Sequence, residues 1–418
     1  MPGCVEGAGM TTDTGAAPAG FLAQRMERLT VPATIAMAQR ARTLRAKGEK
    51  VLSLALGEPD FATPPAVIEA AHRAALEGQT KYPPVDGTPA LKAAIARKFA
   101  RENALDYTPA EIMVSNGGKQ VIFNAFMATV QPGDEVVIPR PYWVSYPLIV
   151  QMFGGTPVYA DCHEADDFRL TAAALEAAIT PRTKWLVLNF PNNPTGGTMG
   201  QADLEAVAGV LRRHPHVHVL SDEIYEHLLY DGLRHVSLAA VAPDLRHRIL
   251  TLNGVSKAYA MTGWRVGYVG GPVALIRAMT AIQGSATSGI CSIAQAAAAA
   301  ALDGPADIIA AMCAAYARRR EMVVSTLRTI PGLTCAMPHG AFYAYPGIAG
   351  CMGRVSAGGH RLRTDEDFAI ALLMEQKVAV VHGSAFGQGP YLRLSYATGD
   401  DVLKEACTRL ARFVEGLH

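Results

Sequence analysis

The chain has 418 residues, half of them hydrophobic, and carries 38 Lys and Arg against 37 Asp and Glu, a net charge of +1. Its length predicts about two to three domains with sizeable cores, and the balanced charge, without a basic stripe, argues against nucleic acid as a partner. The seven cysteines (Cys4, Cys162, Cys291, Cys313, Cys335, Cys351, Cys407) are odd in number and form no CxxC pair, so neither a disulfide framework nor a cysteine zinc site is expected, and a reducing cytoplasm fits best.

Residues 1–20 are rich in Gly, Ala and Thr and lack the basic and apolar regions of a signal peptide, so a disordered tail is expected there. From about residue 70 to 330, short apolar runs alternate with helical patterns: Ile112–Ser115, Glu135–Ile138, Trp185–Leu188, Val217–Leu220, Ile249–Leu252 and Val266–Val269. This is the pattern of an α/β protein whose mainly parallel sheet is covered by helices on both faces. The alanine run Ala296–Ala301 is too short for a membrane span and predicts a helix. Beyond about residue 330 shorter strands are expected at Leu333–Cys335, Phe342–Tyr345, Val378–Val381 and Tyr391–Leu394, with helices near 365–376 and 400–416. Gly347–Gly359 reads as a surface loop. The division that follows is a large domain over 61–324 and a smaller α+β domain built from 21–60 and 325–418.

Polar motifs follow the apolar runs, where ligands of such sheets bind. Asn116-Gly117-Gly118-Lys119-Gln120 opens a helix near 118–130, which makes either an anion site or a plain tight turn. Pro191-Asn192-Asn193-Pro194-Thr195-Gly196-Gly197 forms a rigid turn. Asp222 and Tyr225 follow a strand expected to end at Ser221, and Asp222 also suits an ordinary helix cap. Trp143 lies in an apolar stretch, where aromatics usually serve the core. Lys257 follows the run ending at Leu252, with Arg265 shortly after it. A lysine amine condenses with an aldehyde and an arginine holds a phosphate; pyridoxal 5′-phosphate carries both groups.

The run Asn253-Gly254-Val255-Ser256-Lys257 through Gly263-Trp264-Arg265-Val266-Gly267 resembles the cofactor-lysine signature of class I aminotransferases, of the pyridoxal-phosphate-dependent transferase fold type I. The other motifs, with Leu56–Phe61 and Tyr391–Thr398, extend the resemblance over about residues 28–415, and it is strongest to the Ib subgroup of aspartate (aspartate/prephenate) aminotransferases. The resemblance implies ping-pong transamination with Lys257 as the catalytic base and acid. It implies Gly117, Gly118, Lys119, Ser256 and Arg265 around the phosphate, and Asp222 at the pyridine nitrogen. Asn193 and Tyr225 then meet the phenolic oxygen, and Trp143 stacks on the ring. Tyr82 would reach the phosphate of a neighbouring subunit, so that a homodimer shares its active sites. Arg393 matches the residue that binds the substrate α-carboxylate, with Gly57 assisting. Lys119 is expected to meet the distal carboxylate of a dicarboxylic substrate, with a second phosphate contact as its alternative role. Thr34 matches a position that helps some members use prephenate, although Thr30-Val31-Pro32-Ala33 departs from the usual Lys-Pro-Ser-Ala.

Three other readings compete. Regulators of this fold carry a winged helix ahead of it, for which about 27 residues are too few. A different reaction on the same cofactor, such as β-elimination, stays open because fold does not fix function. The alternating His214, His216 and His218 could suggest a metal, but strand-entrance polar residues are expected instead, and no GxSxG hydrolase elbow is present.

Overall fold

The structure, a computed structural model, describes residues 21–23, 25, 26, 29, 31–305 and 307–418. The tail expected at 1–20 and the departure at Thr30 lie outside them.

Seven strands form the central sheet: β2 (Ile112–Asn116), β3 (Glu135–Arg140), β4 (Thr156–Asp161), β5 (Thr183–Asn189), β6 (His218–Asp222), β7 (Ile249–Gly254) and β8 (Val266–Gly270), with β1 (Leu52–Ser53) lying outside it. Their spatial order is β2-β8-β7-β6-β5-β3-β4. Neighbours from β4 to β7 are parallel, and β8 runs antiparallel to both β7 and β2. Side chains alternate between two cores, as the two-residue period of a strand requires. Leu186, Leu188, Val219 and Ile249 enter one, while Trp185, Val187, Leu220 and Leu250 enter the other. On that second face the strands meet Val121, Ile122 and Phe126 of helix Gly118–Thr129 and Ile276 and Met279 of helix Val273–Ala286. Burying each large apolar side chain is worth about 1.5–3 kcal/mol, so both sheet faces must be covered.

The C-terminal part adds β9 (Tyr343–Ala344), β10 (Val378–Ala379), β11 (Val381–His382) and β12 (Leu392–Ser395). The early strand β1 pairs with β10, so the N-terminal segment closes onto the C-terminal elements. Strands β11, β12 and β9 form a separate antiparallel sheet. Helix Asp400–Glu415 buries Leu403, Ala406, Cys407, Leu410, Phe413 and Val414, a helical stripe against this body.

Several boundaries depart from the sequence reading. Strand β4 was not expected: it lies at the sheet edge, contains Pro157 and leaves Thr156 and Tyr159 exposed, so it has no continuous apolar run. The expected strand Val378–Val381 is two strands of two different sheets, with Val380 between them. Leu333–Cys335 contributes only a single bridge, Thr334 to Gly347. Gly347–Gly359 is not wholly a surface loop, because Gly347 also bridges Tyr391 and Ile348, Cys351 and Ser356 are buried. A Cβ on Gly347 would come within 2.6 Å of Thr334 Oγ1, so glycine is there for packing rather than mobility. Asp222 is the last residue of β6 and not a helix cap. His214 pairs with Glu176 at 2.7 Å and His216 with the Thr180 carbonyl at 3.1 Å, while His218 opens β6. No single helix among the described residues is long and apolar enough to cross a membrane.

Candidate active site

A cavity of about 500 Å³ opens at the carboxyl ends of β5, β6 and β7. The register brings these ends level: Asn189 faces Asp222, and Asp222 faces Leu252. Lys257, Ser256, Asp222, Tyr225, Asn193, Trp143, Arg265, Gly118, Lys119, Gly57, Thr34 and Arg393 all line the cavity. Two of the residues singled out in the sequence do not. Gly117 stands behind Arg265, and Tyr82 is 92% exposed and outside the lining of this chain's own cavity.

One end of the cavity is an anion cradle. Gly117, at φ +79°, precedes helix Gly118–Thr129, whose first turn has no side-chain cap. Uncapped N–H groups at a helix start attract anions. A Cβ on Gly117 would run into the Arg265 guanidinium, so both the backbone angle and the space demand glycine. Arg265 itself adopts a left-handed conformation (φ 59°) and donates to the carbonyls of Thr262 at 2.9 Å and Asn116 at 3.2 Å, which fixes its fork beside the helix start.

The middle of the cavity holds the titratable groups. Lys257 Nζ donates to the Gly57 carbonyl at 2.7 Å. Burial lowers its amine to about 8, with the cations Arg393 and Arg265 acting in the same direction and Glu58 opposing them. Burial raises the Asp222 carboxyl to about 6, against hydrogen bonds from Tyr146 at 2.6 Å and from the Ile224 amide at 3.3 Å. Asn189 donates to the Asp222 carbonyl at 3.1 Å and accepts from the Asn193 amide at 3.1 Å, tying the Pro191–Gly197 turn to the strand ends. Trp143 meets Tyr146 edge-on at 5.2 Å, and Lys119 Nζ lies 5.0 Å from the Trp143 ring centroid. Desolvation and then the Arg265 charge push the Lys119 amine down.

Arg393 occupies the side contributed by β12. Its Nη1 donates to Asn193 Oδ1 at 3.0 Å and its Nη2 to the Ala55 carbonyl at 2.5 Å. Its buried Nε has no partner among the described residues, although buried donors are nearly always satisfied. The Asn193 side chain therefore turns its oxygen to Arg393, a contact that the sequence reading did not include.

Tyr146, Asn189, Tyr343, Glu58 and Arg42 also line the cavity and were missed in the sequence. Tyr146 follows Trp143 by three positions, a spacing that would have flagged it. Tyr343 carried no signal, because a tyrosine in an apolar strand reads as core.

An uncapped helix start beside Ser256 and Arg265, a buried carboxylate and a desolvated lysine suit one small aromatic ring bearing a phosphate, a protonated ring nitrogen and an aldehyde. With the mainly parallel sheet, they define a pyridoxal-phosphate-dependent transferase of fold type I. The chain belongs to the family described as aminotransferase class I and II, whose profile matches residues 49–410. It is 54% identical over 397 residues to the aspartate/prephenate aminotransferase of Cereibacter sphaeroides, covering 95% of this chain and 99% of that one. It is 51% identical to an aspartate aminotransferase of Rhizobium meliloti, over 96% and 98% of the two chains. The crystal structure of the aspartate aminotransferase from Rhizobium meliloti superposes with a TM-score of 0.92 at 50% identity, over 95% and 99%. That of Thermus thermophilus with maleate gives 0.88 at 42%, over 94% and 99%. The protein is thus an aminotransferase that uses pyridoxal 5′-phosphate and takes amino acids and 2-oxo acids as substrates.

Proposed function

We propose that this enzyme transfers the amino group of aspartate to 2-oxoglutarate, giving oxaloacetate and glutamate by a ping-pong scheme. One observation carries the reading: Arg393, with an unpartnered buried Nε, and Lys119 share one cavity with Lys257. Arg393 presents a planar fork suited to the α-carboxylate, and Lys119 a point charge for a second carboxylate. The relatives named as aspartate aminotransferases support this, as does maleate, a dicarboxylate, in the Thermus thermophilus structure.

When bound, pyridoxal phosphate supplies an electron sink for the negative charge left on the substrate as its α-proton departs. Lys257 would hold its aldehyde, and Ser256, Arg265, Gly118 and the Gly117 turn its phosphate. Asp222 would face the ring nitrogen, Tyr225 and Asn193 the phenolic oxygen, and Trp143 the ring face. Once free, the Lys257 amine accepts the proton from the substrate α-carbon and later returns it as an acid. An amine lowered to about 8 is neutral in roughly a fifth of molecules near physiological pH, against about one in a thousand for an ordinary lysine, and the neutral form is the one this task requires. The buried surroundings of Asp222 and Arg393 keep water from competing for their charges.

The 21–60 plus 325–418 and 61–324 division belongs to the same reading, supported by the β1–β10 pairing. So does a cytoplasmic homodimer in which the exposed Tyr82 serves the partner's cavity. A second reading, prephenate or arogenate as a further substrate, is favoured by Thr34 and Lys119 lining the same cavity and by the aspartate/prephenate names of relatives.

The test is a half-reaction. Enzyme loaded with pyridoxal phosphate is mixed with aspartate, arogenate or alanine, without an acceptor, and the cofactor absorption band is followed. Conversion with aspartate and not alanine is the expected result. An equal or faster response to arogenate moves the enzyme to aromatic amino acid synthesis. A response to alanine alone rejects the dicarboxylate reading.

A further inference from the structure

Tyr343 belongs to none of the sequence motifs, yet it touches three of the groups assigned above. Its register partner in β12 is Ser395, so Tyr343 and Arg393 share a face of the small sheet. The Arg393 guanidinium lies 4.7 Å from the Tyr343 ring centroid. The Tyr343 hydroxyl meets the Tyr225 hydroxyl at 2.8 Å. The Gly57 backbone packs against that hydroxyl so closely that a Cβ there would overlap it. The ring is 1% exposed, and the residue lines the cavity.

Each of the two phenols has the other as its hydroxyl partner among the described residues. Burial raises both phenols, so both stay neutral and the pair holds two protons for one shared contact. If Tyr343 donates to Tyr225, the Tyr225 proton is left for an acceptor in the cavity. If Tyr225 donates, it has none to offer. An anionic oxygen beside Tyr225 selects the first arrangement, and a phenol that accepts one hydrogen bond donates a stronger one.

We propose that Tyr343 is a positioning residue: its hydroxyl directs the Tyr225 proton toward the cofactor's phenolic oxygen, and its ring carries the guanidinium of Arg393. This rests on the reading of Tyr225 and Arg393 given above. The pair is faced by Asp222 and Lys257 from the strand ends and by Arg393 from β12. None of these donates to or accepts from either hydroxyl among the described residues. The device links the C-terminal sheet, which holds the substrate arginine, to the Asp222–Tyr225 segment, which tunes the cofactor.

The test uses the holoenzyme. The visible band of bound pyridoxal phosphate is titrated with pH in Tyr343→Phe, Tyr225→Phe and the double variant. Loss of a neutral hydrogen bond acting through Tyr225 raises the midpoint in Tyr343→Phe by about 0.3–1 pH unit. Tyr225→Phe raises it further, and the double variant matches Tyr225→Phe, because the Tyr343 effect has no other route. The aspartate KM separates the second role: Tyr343→Leu, which removes the ring beneath the guanidinium, raises it about twofold to thirtyfold over Tyr343→Phe. An unmoved midpoint in Tyr343→Phe, with Tyr225→Phe shifted, overturns the proposal and leaves the Tyr225 reading intact. An unmoved midpoint in Tyr225→Phe overturns both. Additive shifts in the double variant, or equal KM values in the Leu and Phe variants, overturn the coupling or the ring contact respectively.

Discussion

The Tyr146 hydroxyl donates to Asp222 Oδ2 at 2.6 Å, and both residues are buried. Burial drives the Asp222 carboxyl upward, this hydrogen bond is the largest force holding it down, and the balance leaves it at about 6. A carboxyl so placed is ionised above about pH 6 and takes up a proton below it. A cofactor whose ring nitrogen pairs with the carboxylate therefore binds less well as pH falls through that value.

Tyr146→Phe removes the donor and should move this loss to higher pH. A hydrogen bond to a charged group contributes about 1.5–3 kcal/mol, so cofactor affinity near pH 6.5 should fall by about tenfold to a hundredfold, with a smaller deficit at pH 8.5. Equilibrium dialysis of pyridoxal phosphate at the two pH values measures it. A deficit of the same size at both would show that Tyr146 only shapes the cavity.

Lys257 should betray its lowered amine in the apoprotein. Reaction with an amine-directed reagent, followed at this residue by peptide mass spectrometry, should rise with a midpoint near pH 8, below the ordinary lysine value of 10.5. Glu58 acts to raise the amine, so Glu58→Gln should lower the midpoint further. A midpoint at the ordinary lysine value would remove the desolvation argument for its basicity.

Lys119 separates dicarboxylic from monocarboxylic substrates if its ammonium meets the distal carboxylate. Removing one partner of a desolvated charge pair costs about 2–5 kcal/mol, so Lys119→Ala should lower kcat/KM for aspartate by tens- to thousands-fold while alanine turnover and cofactor retention persist. Loss of pyridoxal phosphate instead would assign Lys119 to the phosphate, beside Arg265.

Behind the cavity, the Glu226 carboxylate pairs with the fully buried Lys98 and accepts from Asn103 at 2.6 Å and Asn253 at 2.7 Å. Burial acts to raise this carboxyl, but Lys98, His227 and His235 outweigh it and hold it well below the ordinary range. Glu226→Leu leaves the buried Lys98 with only the more exposed Glu102, at 3.5 Å, as its anionic partner and should cost about 3–5 kcal/mol of stability, while Lys98→Met with Glu226→Leu should recover much of it. Denaturant unfolding of the apoprotein decides this; equal stability of the single and double variants would exclude the ion pair as the cause.

The strand order was not legible, but the two covered faces and the strands that carry the site were. Uninterrupted apolar runs such as Ile249–Leu252 mark strands buried on both sides, and the polar residues just past them mark the ligand end. The edge strand β4 escaped because only Ala160 of its six residues is fully buried. The split of Val378–Val381 escaped because hydrophobicity does not say which sheet a residue joins.

By itself the sequence determined which residue types follow the apolar runs, and the resemblance its motifs carry marked Lys257, Asp222, Asn193, Arg265 and Arg393 as candidates. Only the tertiary structure decided which groups tune them. Lys257 finds the carbonyl of Gly57, Arg393 finds Asn193, and Tyr225 finds Tyr343 across separations of 200, 200 and 118 residues. Those pairings, and the burial that brings Lys257 to about 8 and Asp222 to about 6, depend on how the sheets pack, because desolvation exists only where the chain has excluded water.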